Sequence, residues 1–358
     1  MTSSSSFLEV YKGRRVLVTG HTGFKGSWLC AWLKQLGATV IGVSLPPSEN
    51  YPSLFDEAHI SEGMSSFFQD INDYEGLKKI FAETQPEIIF HMAAQALVRL
   101  SYREPLNTYM TNVIGTANVL EAARHCSSVK TIVAITSDKC YYNNEWFWGY
   151  RETDTLGGVE PYSASKACAE LVIASYREGL LPLQERKIHL ASTRAGNVIG
   201  GGNWSEDRLV PDLIQALHQK KTIKLRNPKA TRPWQHVLEP LRGYLMLGAA
   251  LDSSDGEKYA SAWNFGPTGE NSISVESLVH QLAEFWGESV NVEITSDPIP
   301  ECNLLRLDAS KAEALLGWKP ALNIRESLAL TVEWYKNYYK KPGQAEELLN
   351  AQIEGYRW

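Results

Sequence analysis

Two short runs hold most of the side chains able to do chemistry in this 358-residue chain. Tyr162-Ser163-Ala164-Ser165-Lys166 sets a phenol and an ammonium four positions apart. On a helix that spacing puts both on one face, with Cβ atoms about 5–6 Å apart. A charge so close favours the phenolate, so Lys166 is expected to lower the Tyr162 pKa and make it a usable base at neutral pH. Taken alone the spacing is common and also fits a solvent-facing pair. The second run, Thr136-Ser137-Asp138-Lys139, closes an apolar β-branched segment. Simple alcohol oxidation needs only a hydroxyl there to hold the substrate oxygen. An Asp and a Lys at the same spot imply a second proton transfer. Ser137, Asp138, Lys139, Tyr162 and Lys166 are therefore the candidate catalytic residues.

The elements that must position them read as a strand–helix alternation. Strands are expected at Arg15–Thr19, Thr39–Ser44, Ser65–Gln69, Glu87–His91, Thr131–Thr136 and Ile188–Thr193, with helices over Phe24–Leu36, Tyr74–Glu83, Asn107–Arg124 and Ser163–Tyr176. Near-continuous apolar strands between amphipathic helices indicate a doubly wound parallel α/β sheet of Rossmann type, whose sites lie at the carboxyl ends of the strands. Gly20-His21-Thr22-Gly23-Phe24-Lys25-Gly26 follows the first strand and opens the first helix. Glycines at that spacing allow a tight turn, close backbone approach to a pyrophosphate and helix-to-strand packing, while the helix N-terminus offers unpaired N–H groups.

Gly20, Thr22, Gly23, Phe24, Lys25 and Gly26 are the expected dinucleotide cradle. Asp70 and Ile71 are the expected adenine contact, Ala93 and Ala94 leave room at a strand end, and Thr136, Tyr162 and Lys166 complete the cofactor side. No Asp or Glu stands near Ser44 to hold a ribose, and no Arg or Lys to clamp a 2′-phosphate. NAD is preferred over NADP, with Lys25 the one residue able to reverse that choice. His91 reads as a structural histidine and His21 as a cap on the turn.

Beyond Gly196 the rhythm breaks at Gly200-Gly201-Gly202-Asn203. Helices are expected near Val210–Gln219, Pro240–Leu251, Val275–Phe285, Ser310–Leu316 and Arg325–Tyr339, with a strand at Ala262–Phe265. The division is a dinucleotide-binding domain over 1–195, a smaller α/β substrate lobe over 196–345 and a tail over 346–358 whose role the residues do not reveal. Four serines at the start are expected to be mobile.

Composition removes several classes. With 35 basic against 41 acidic side chains and no Lys/Arg run, nucleic acid is not an expected partner. No apolar stretch approaches the ~18 residues that cross a bilayer, and no apolar leader opens the chain, so a cytoplasmic location is expected. Five scattered cysteines lack metal or redox spacing, and no acidic or histidine spacing demands a metal ion.

The glycine turn, His91-Met92-Ala93-Ala94-Gln95, Asn112-Val113-Ile114-Gly115-Thr116 and the Tyr162/Lys166 pair resemble the extended short-chain dehydrogenase/reductases over nearly the whole chain. Within that family, VLVTGHTGFKGSWL, TSDKCYY, TRAGNVIGGGNW and RPWQHVLEPLRGY resemble the branch of 4,6-dehydratases that act on CDP-glucose. The resemblance implies a CDP-sugar substrate, tightly held NAD and a redox-neutral lyase reaction. In that scheme Tyr162, with Lys166 and Ser137, takes the 4-hydroxyl proton, Asp138 protonates the departing 6-hydroxyl, and hydride returns to C6. Lys139 stands where related dTDP-glucose enzymes have a Glu, and either stabilises an enolate or takes the C5 proton.

The resemblance also gives Gln95, Asn197, Arg208 and Arg232 to the sugar nucleotide, the two guanidiniums to its phosphates. Trp204 and Trp234 read as packing residues rather than base-stacking ones. A homodimer or homotetramer is implied, through the helices over Asn107–Arg124 and Ser163–Tyr176. The rival functions are a nucleotide-sugar 4-epimerase, which needs no acid at the 6-hydroxyl, and a non-catalytic dinucleotide sensor, which needs neither Tyr162 nor Lys166.

Overall fold

The computed structural model describes residues 8–267, 272–295 and 302–356. The serines at the start lie outside them. Seven strands form one parallel sheet: β1 (Arg15–Thr19), β2 (Thr39–Ser44), β3 (Ser65–Phe68), β4 (Ile88–His91), β5 (Thr131–Ile135), β6 (His189–Ala195) and β10 (Ala262–Phe265), in the order β10-β6-β5-β4-β1-β2-β3. Strand order reverses between β1 and β4, and the glycine turn leaves β1 at that switch point.

Alternation along the strands sends side chains to two separate cores. Val16, Val18, Ile88 and Phe90 face α1 (Phe24–Gln35) and α9 (Leu238–Leu251). Leu17, Ile89 and Ile132 face α3 (Tyr74–Thr84) and α6 (Gly115–His125). Both faces of the sheet are covered, which is why its strands read as continuous apolar runs. Short helices α2 (Leu54–Glu57), α4 (Val98–Arg103) and α5 (Pro105–Tyr109) connect these elements.

The single helix expected over Asn107–Arg124 is α5 and α6 joined through a π-helical turn at Met110–Ile114. Inside that turn Asn112 is buried, accepts the Gln95 backbone N–H and donates to the Gln95 carbonyl and to Ser165 Oγ. A widened turn of this kind commonly marks a functional position. Helix α7 (Pro161–Ser175) starts on firm local chemistry: Glu160 accepts from the backbone N–H groups of Tyr162 and Ser163, and Pro161 occupies the first helical position.

Beyond β6 come β7 (Asn197–Ile199), α8 (Leu209–Gln219), β8 (Ile223–Leu225), β9 (Thr231–His236), β11 (Ser272–Ser274), α10 (Val275–Trp286) and β12 (Val292–Ile294). They make two small sheets, β11-β9-β7 and β12-β8. Residues 238–265 run back to the large sheet as α9 and β10, so the two parts of the chain are interleaved rather than strung in series. The last helices are α11 (Ser310–Leu316), α12 (Ile324–Lys340) and α13 (Ala345–Gly355). The tail left unread in the sequence is mostly α13, whose Leu349 and Ile353 are buried while Tyr356 meets Trp32 of α1 edge to face at 5.9 Å. Among the described residues no helix is long and apolar enough to cross a membrane.

Candidate active site

A cavity of about 1190 Å³ follows the carboxyl edge of the large sheet, and every cofactor, catalytic and substrate residue nominated from the sequence lines it. Its volume exceeds the ~300–1,000 Å³ of a single-ligand pocket, as a site for a dinucleotide and a second ligand requires.

At one end the glycine turn makes the wall. Gly20 has φ 75°, and a Cβ there would lie 2.8 Å from the Ala93 nitrogen; a Cβ on Gly26 would lie 2.1 Å from the Gly20 carbonyl oxygen. Only glycine fits either place. Thr19 Oγ1 accepts from the Met92 and Ala93 backbone N–H groups, which fixes the two alanines at the end of β4. The Thr22 hydroxyl meets Ser44 Oγ at 2.9 Å and donates to the Leu45 carbonyl. Asp70 is exposed and caps the turn at Asn72, while Ile71 is buried against Gly115. The cradle, the helix N-terminus behind it and the small residues opposite fit a dinucleotide.

Lys25, the one residue able to reverse the choice of NAD, is engaged by a residue of α9. Its Nζ donates to the Tyr244 hydroxyl at 2.9 Å and lies 5.0 Å from that ring's centre. Burial lowers its pKa to about 8, against the pull of Asp138. The lysine belongs to the catalytic end. His91 is held between Thr19 Oγ1 at 2.7 Å and Thr116 Oγ1 at 3.0 Å and is pushed down to about 3 by burial, which makes it a neutral structural group. His21 meets Ser66 Oγ at 2.7 Å, and its ring fills the space a side chain on Gly42 would need.

At the centre, Ser137 donates to Asp138 Oδ1 at 2.9 Å, and both are buried. Burial raises the Asp138 pKa, opposed by Lys139, by the Ser137 hydroxyl and by Arg232. Such a carboxyl is suited to hold a proton and deliver it. Tyr162 sits 7% exposed on α7, with Lys166 Nζ 6.0 Å from its ring centre.

The lowering expected of Tyr162 is not what this environment produces. Burial pushes the phenol up to about 12; the Ser137 hydroxyl and Arg208 act against that rise, and Lys166 is not among the causes. Lys166 itself is lowered to about 8, first by burial and then by Lys25. Desolvation dominates at both groups because they are buried together, and two lysines share the space.

Thr136, nominated for the cofactor, gives its hydroxyl to Glu170 Oε1 at 2.5 Å. Glu170 lies one helical turn beyond Lys166, accepts from Ser192 Oγ at 2.7 Å and pairs with Arg194 at 2.8 Å, both side chains 3% exposed. Arg194 in turn donates to the Tyr141 hydroxyl. This buried network holds the end of β5, and sequence reasoning missed it; Glu170 at four residues past Lys166 was its one visible sign.

On the substrate side, Arg208 Nη2 donates to the Ala96 carbonyl at 2.6 Å and Asn197 opens β7. Gln95 turns its amide to Leu97 and Thr108 rather than outward. Lys139 Nζ lies 4.0 Å from Cys302 Sγ. Trp234 is buried in the core, while Trp204 packs on Trp334, Tyr335 and Tyr338. Among the described residues no group of His, Cys, Asp and Glu is arranged to hold a metal ion.

A doubly wound parallel sheet, a glycine cradle at its switch point and a Tyr/Lys pair on the helix after β5 define the extended short-chain dehydrogenase/reductase class. A family model for GDP-mannose 4,6 dehydratase matches residues 17–331, and the chain belongs to that family. It is 46% identical to the CDP-glucose 4,6-dehydratase of Salmonella typhimurium over 334 residues, 92% of each protein. It is 27% identical to the human dTDP-D-glucose 4,6-dehydratase, over 94% of each. The crystal structure of a UDP-glucose 4-epimerase with UDP-glucose from Thermotoga maritima superposes with a TM-score of 0.79 at 25% identity, covering 91% of this chain and 99% of that one.

Proposed function

We propose that this chain is an NAD-dependent hydro-lyase that converts CDP-glucose to CDP-4-keto-6-deoxyglucose. The observation that carries the reading is the buried carboxyl of Asp138 beside Ser137 and Lys139 in the same cavity as Tyr162 and Lys166. An epimerase that returns hydrogen to C4 has no use for an acid at O6.

When bound, NAD would supply a hydride acceptor for the C4 hydrogen and a donor for its return at C6. The glycine turn, Thr22, Phe24, Lys25, Asp70, Ile71, Ala93 and Ala94 would hold it. The chain's own residues handle protons and position. Tyr162, hydrogen-bonded to Ser137, takes the proton of the 4-hydroxyl as a phenolate, a form that burial disfavours and that the Ser137 hydroxyl and Arg208 favour. The resulting 4-ketone acidifies the C5 hydrogen. Lys139, as a neutral amine, takes that proton, and Asp138 gives its own to O6 as water leaves. Arg208, Arg232 and Asn197 hold the diphosphate, and residues 196–345 supply most of the substrate's grip. We further infer a homo-oligomer formed through α5–α6 and α7, where Leu106, Ile114 and Leu171 are exposed.

The test is direct. Purified protein with CDP-glucose gives the alkaline absorbance of a 4-keto-6-deoxy sugar without net reduced cofactor. A CDP-galactose product instead makes it an epimerase, and inertness toward several nucleotide sugars favours a sensor.

A further inference from the structure

The cavity has a part that the proposed chemistry leaves without a task. Its wall is made by α4, α8 and the residues around β8, which bring Arg99, Asp207, Asp212 and Arg226 to one place. Asp207 Oδ1 lies 3.7 Å from Arg99 Nε and 3.8 Å from Arg226 Nη1. Both separations are ion-pair distances too long for hydrogen bonds, so the charges are balanced while the Asp207 carboxylate makes no direct bond to either.

Asp212 is different in kind. It stands one helical turn beyond Arg208, its backbone N–H donating to the Arg208 carbonyl at 3.0 Å, and its side chain is partly buried. Among the described residues nothing donates a hydrogen bond to its carboxylate. Burial, followed by the neighbouring charge of Asp207, raises its pKa to about 6; Glu206 acts in the same sense and Arg226 against it. The carboxylate therefore lines the cavity with its acceptor positions open to a donor from a ligand.

The reading above puts a nucleoside diphosphate in this cavity, with Arg208 on its phosphates. A base lying one turn further along α8 would meet Asp212. Cytosine presents an N4 amino donor beside two acceptors, N3 and O2. Uracil and thymine present an O4 acceptor and an N3–H donor at the same two positions. A carboxylate next to a guanidinium complements the cytosine edge and opposes the other two at both points.

We propose that Asp212, with Arg226 beside it, reads the Watson–Crick edge of the substrate's base and selects cytosine over uracil and thymine. The carboxylate accepts from N4 and the guanidinium donates to N3 and O2. This rests on the nucleotide-sugar reading of the cavity and goes beyond it by assigning the base to particular side chains. The competing explanation is that Asp212 merely favours the positive end of α8, in whose first turn it lies.

The experiment is calorimetric titration of the full chain with CDP, UDP and dTDP, for the native protein, Asp212→Asn, Asp212→Leu and Arg226→Leu. The native protein is expected to prefer CDP by about 10-fold or more, the scale of one well-made base contact pair. Asp212→Asn and Asp212→Leu should bring that preference below about 3-fold by weakening CDP, and Asp212→Asn should also strengthen UDP, because an amide can turn its NH₂ toward O4. Arg226→Leu should weaken CDP more than UDP. An unchanged CDP/UDP ratio in the Asp212 variants, or equal losses for all three nucleotides, overturns the assignment and leaves Asp212 as a helix-end charge. Binding is read without turnover, so the two proposals fail separately. A protein inert toward CDP-glucose that still discriminates through Asp212 loses only the catalytic reading, and an active one with unaltered discrimination loses only this one.

Discussion

Replacing Asp138 by Asn changes one function of the site and leaves its geometry. An amide oxygen still accepts from Ser137 Oγ, now at 2.9 Å, and the side chain has the same size in a pocket where Asp138 is only 7% exposed. What disappears is the proton held by a carboxyl whose pKa burial has raised. A positioned general acid contributes about 10²–10⁴-fold, or about 3–5 kcal/mol at 1.36 kcal/mol per decade. Because the residue is buried, bulk water is a poor replacement, and the loss should fall in the upper half of that range. Oxidation at C4 does not use this proton, since Tyr162 and Lys166 remain. The assay is stopped flow with CDP-glucose, following reduced nicotinamide absorbance and, in parallel, the 4-keto-6-deoxy product. Asp138→Asn should form the reduced cofactor at a rate within a few-fold of the native protein and then stall, with product formation down at least ~10³-fold. Product formation at the native rate, or equal loss of both steps, refutes the assignment of Asp138 as the acid at O6.

Lys139→Met should likewise abolish loss of water while leaving C4 oxidation measurable; full activity of that variant removes Lys139 from the elimination. Gly26→Ala should prevent dinucleotide binding in a fluorescence titration and lower the melting temperature, since its methyl would lie 2.1 Å from a backbone oxygen; unchanged affinity contradicts the cradle. Acid should destabilise the protein through His21, His91 and His236, whose pKa values burial lowers to about 4, 3 and 3. The unfolded chain, with histidines near 6.5, binds protons that the folded one refuses, so stability is lost as pH falls below that value. Between pH 6.5 and 5 the cost is about 2 kcal/mol per histidine as an upper figure. Urea denaturation at pH 7 and pH 5 measures it, and a stability independent of pH over that interval contradicts the neutral, buried assignment.

The fold was legible because its strands are short, apolar and bounded by glycine or by polar helix starts, so that Arg15–Thr19 and Thr39–Ser44 are the strands themselves. The break in the helix at Met110–Ile114 was not, because a π turn leaves no composition signature; it follows from Asn112 being drawn inward by Gln95 and Ser165. Motif spacing brought Tyr162, Lys166, Ser137 and Asp138 to one site, since each sits at a helix start or strand end that local sequence determines. Electrostatics resisted the same treatment. The effect of Lys166 on Tyr162 depends on how deeply both are buried and on Lys25, which lies 137 positions before Tyr162 and meets the cluster only through the fold. The interleaving of α9 and β10 into the large sheet was hidden for a similar reason, because parallel pairing between β6 and β10 joins segments separated by a whole lobe.

The central claim concerns where one hydrogen goes. CDP-glucose carrying deuterium at C4, turned over and read by NMR and mass spectrometry, should yield a 4-keto-6-deoxy sugar with that deuterium in its new methyl group. Deuterium still at C4 of an epimerised sugar, or a keto product that has lost it altogether, would contradict the account.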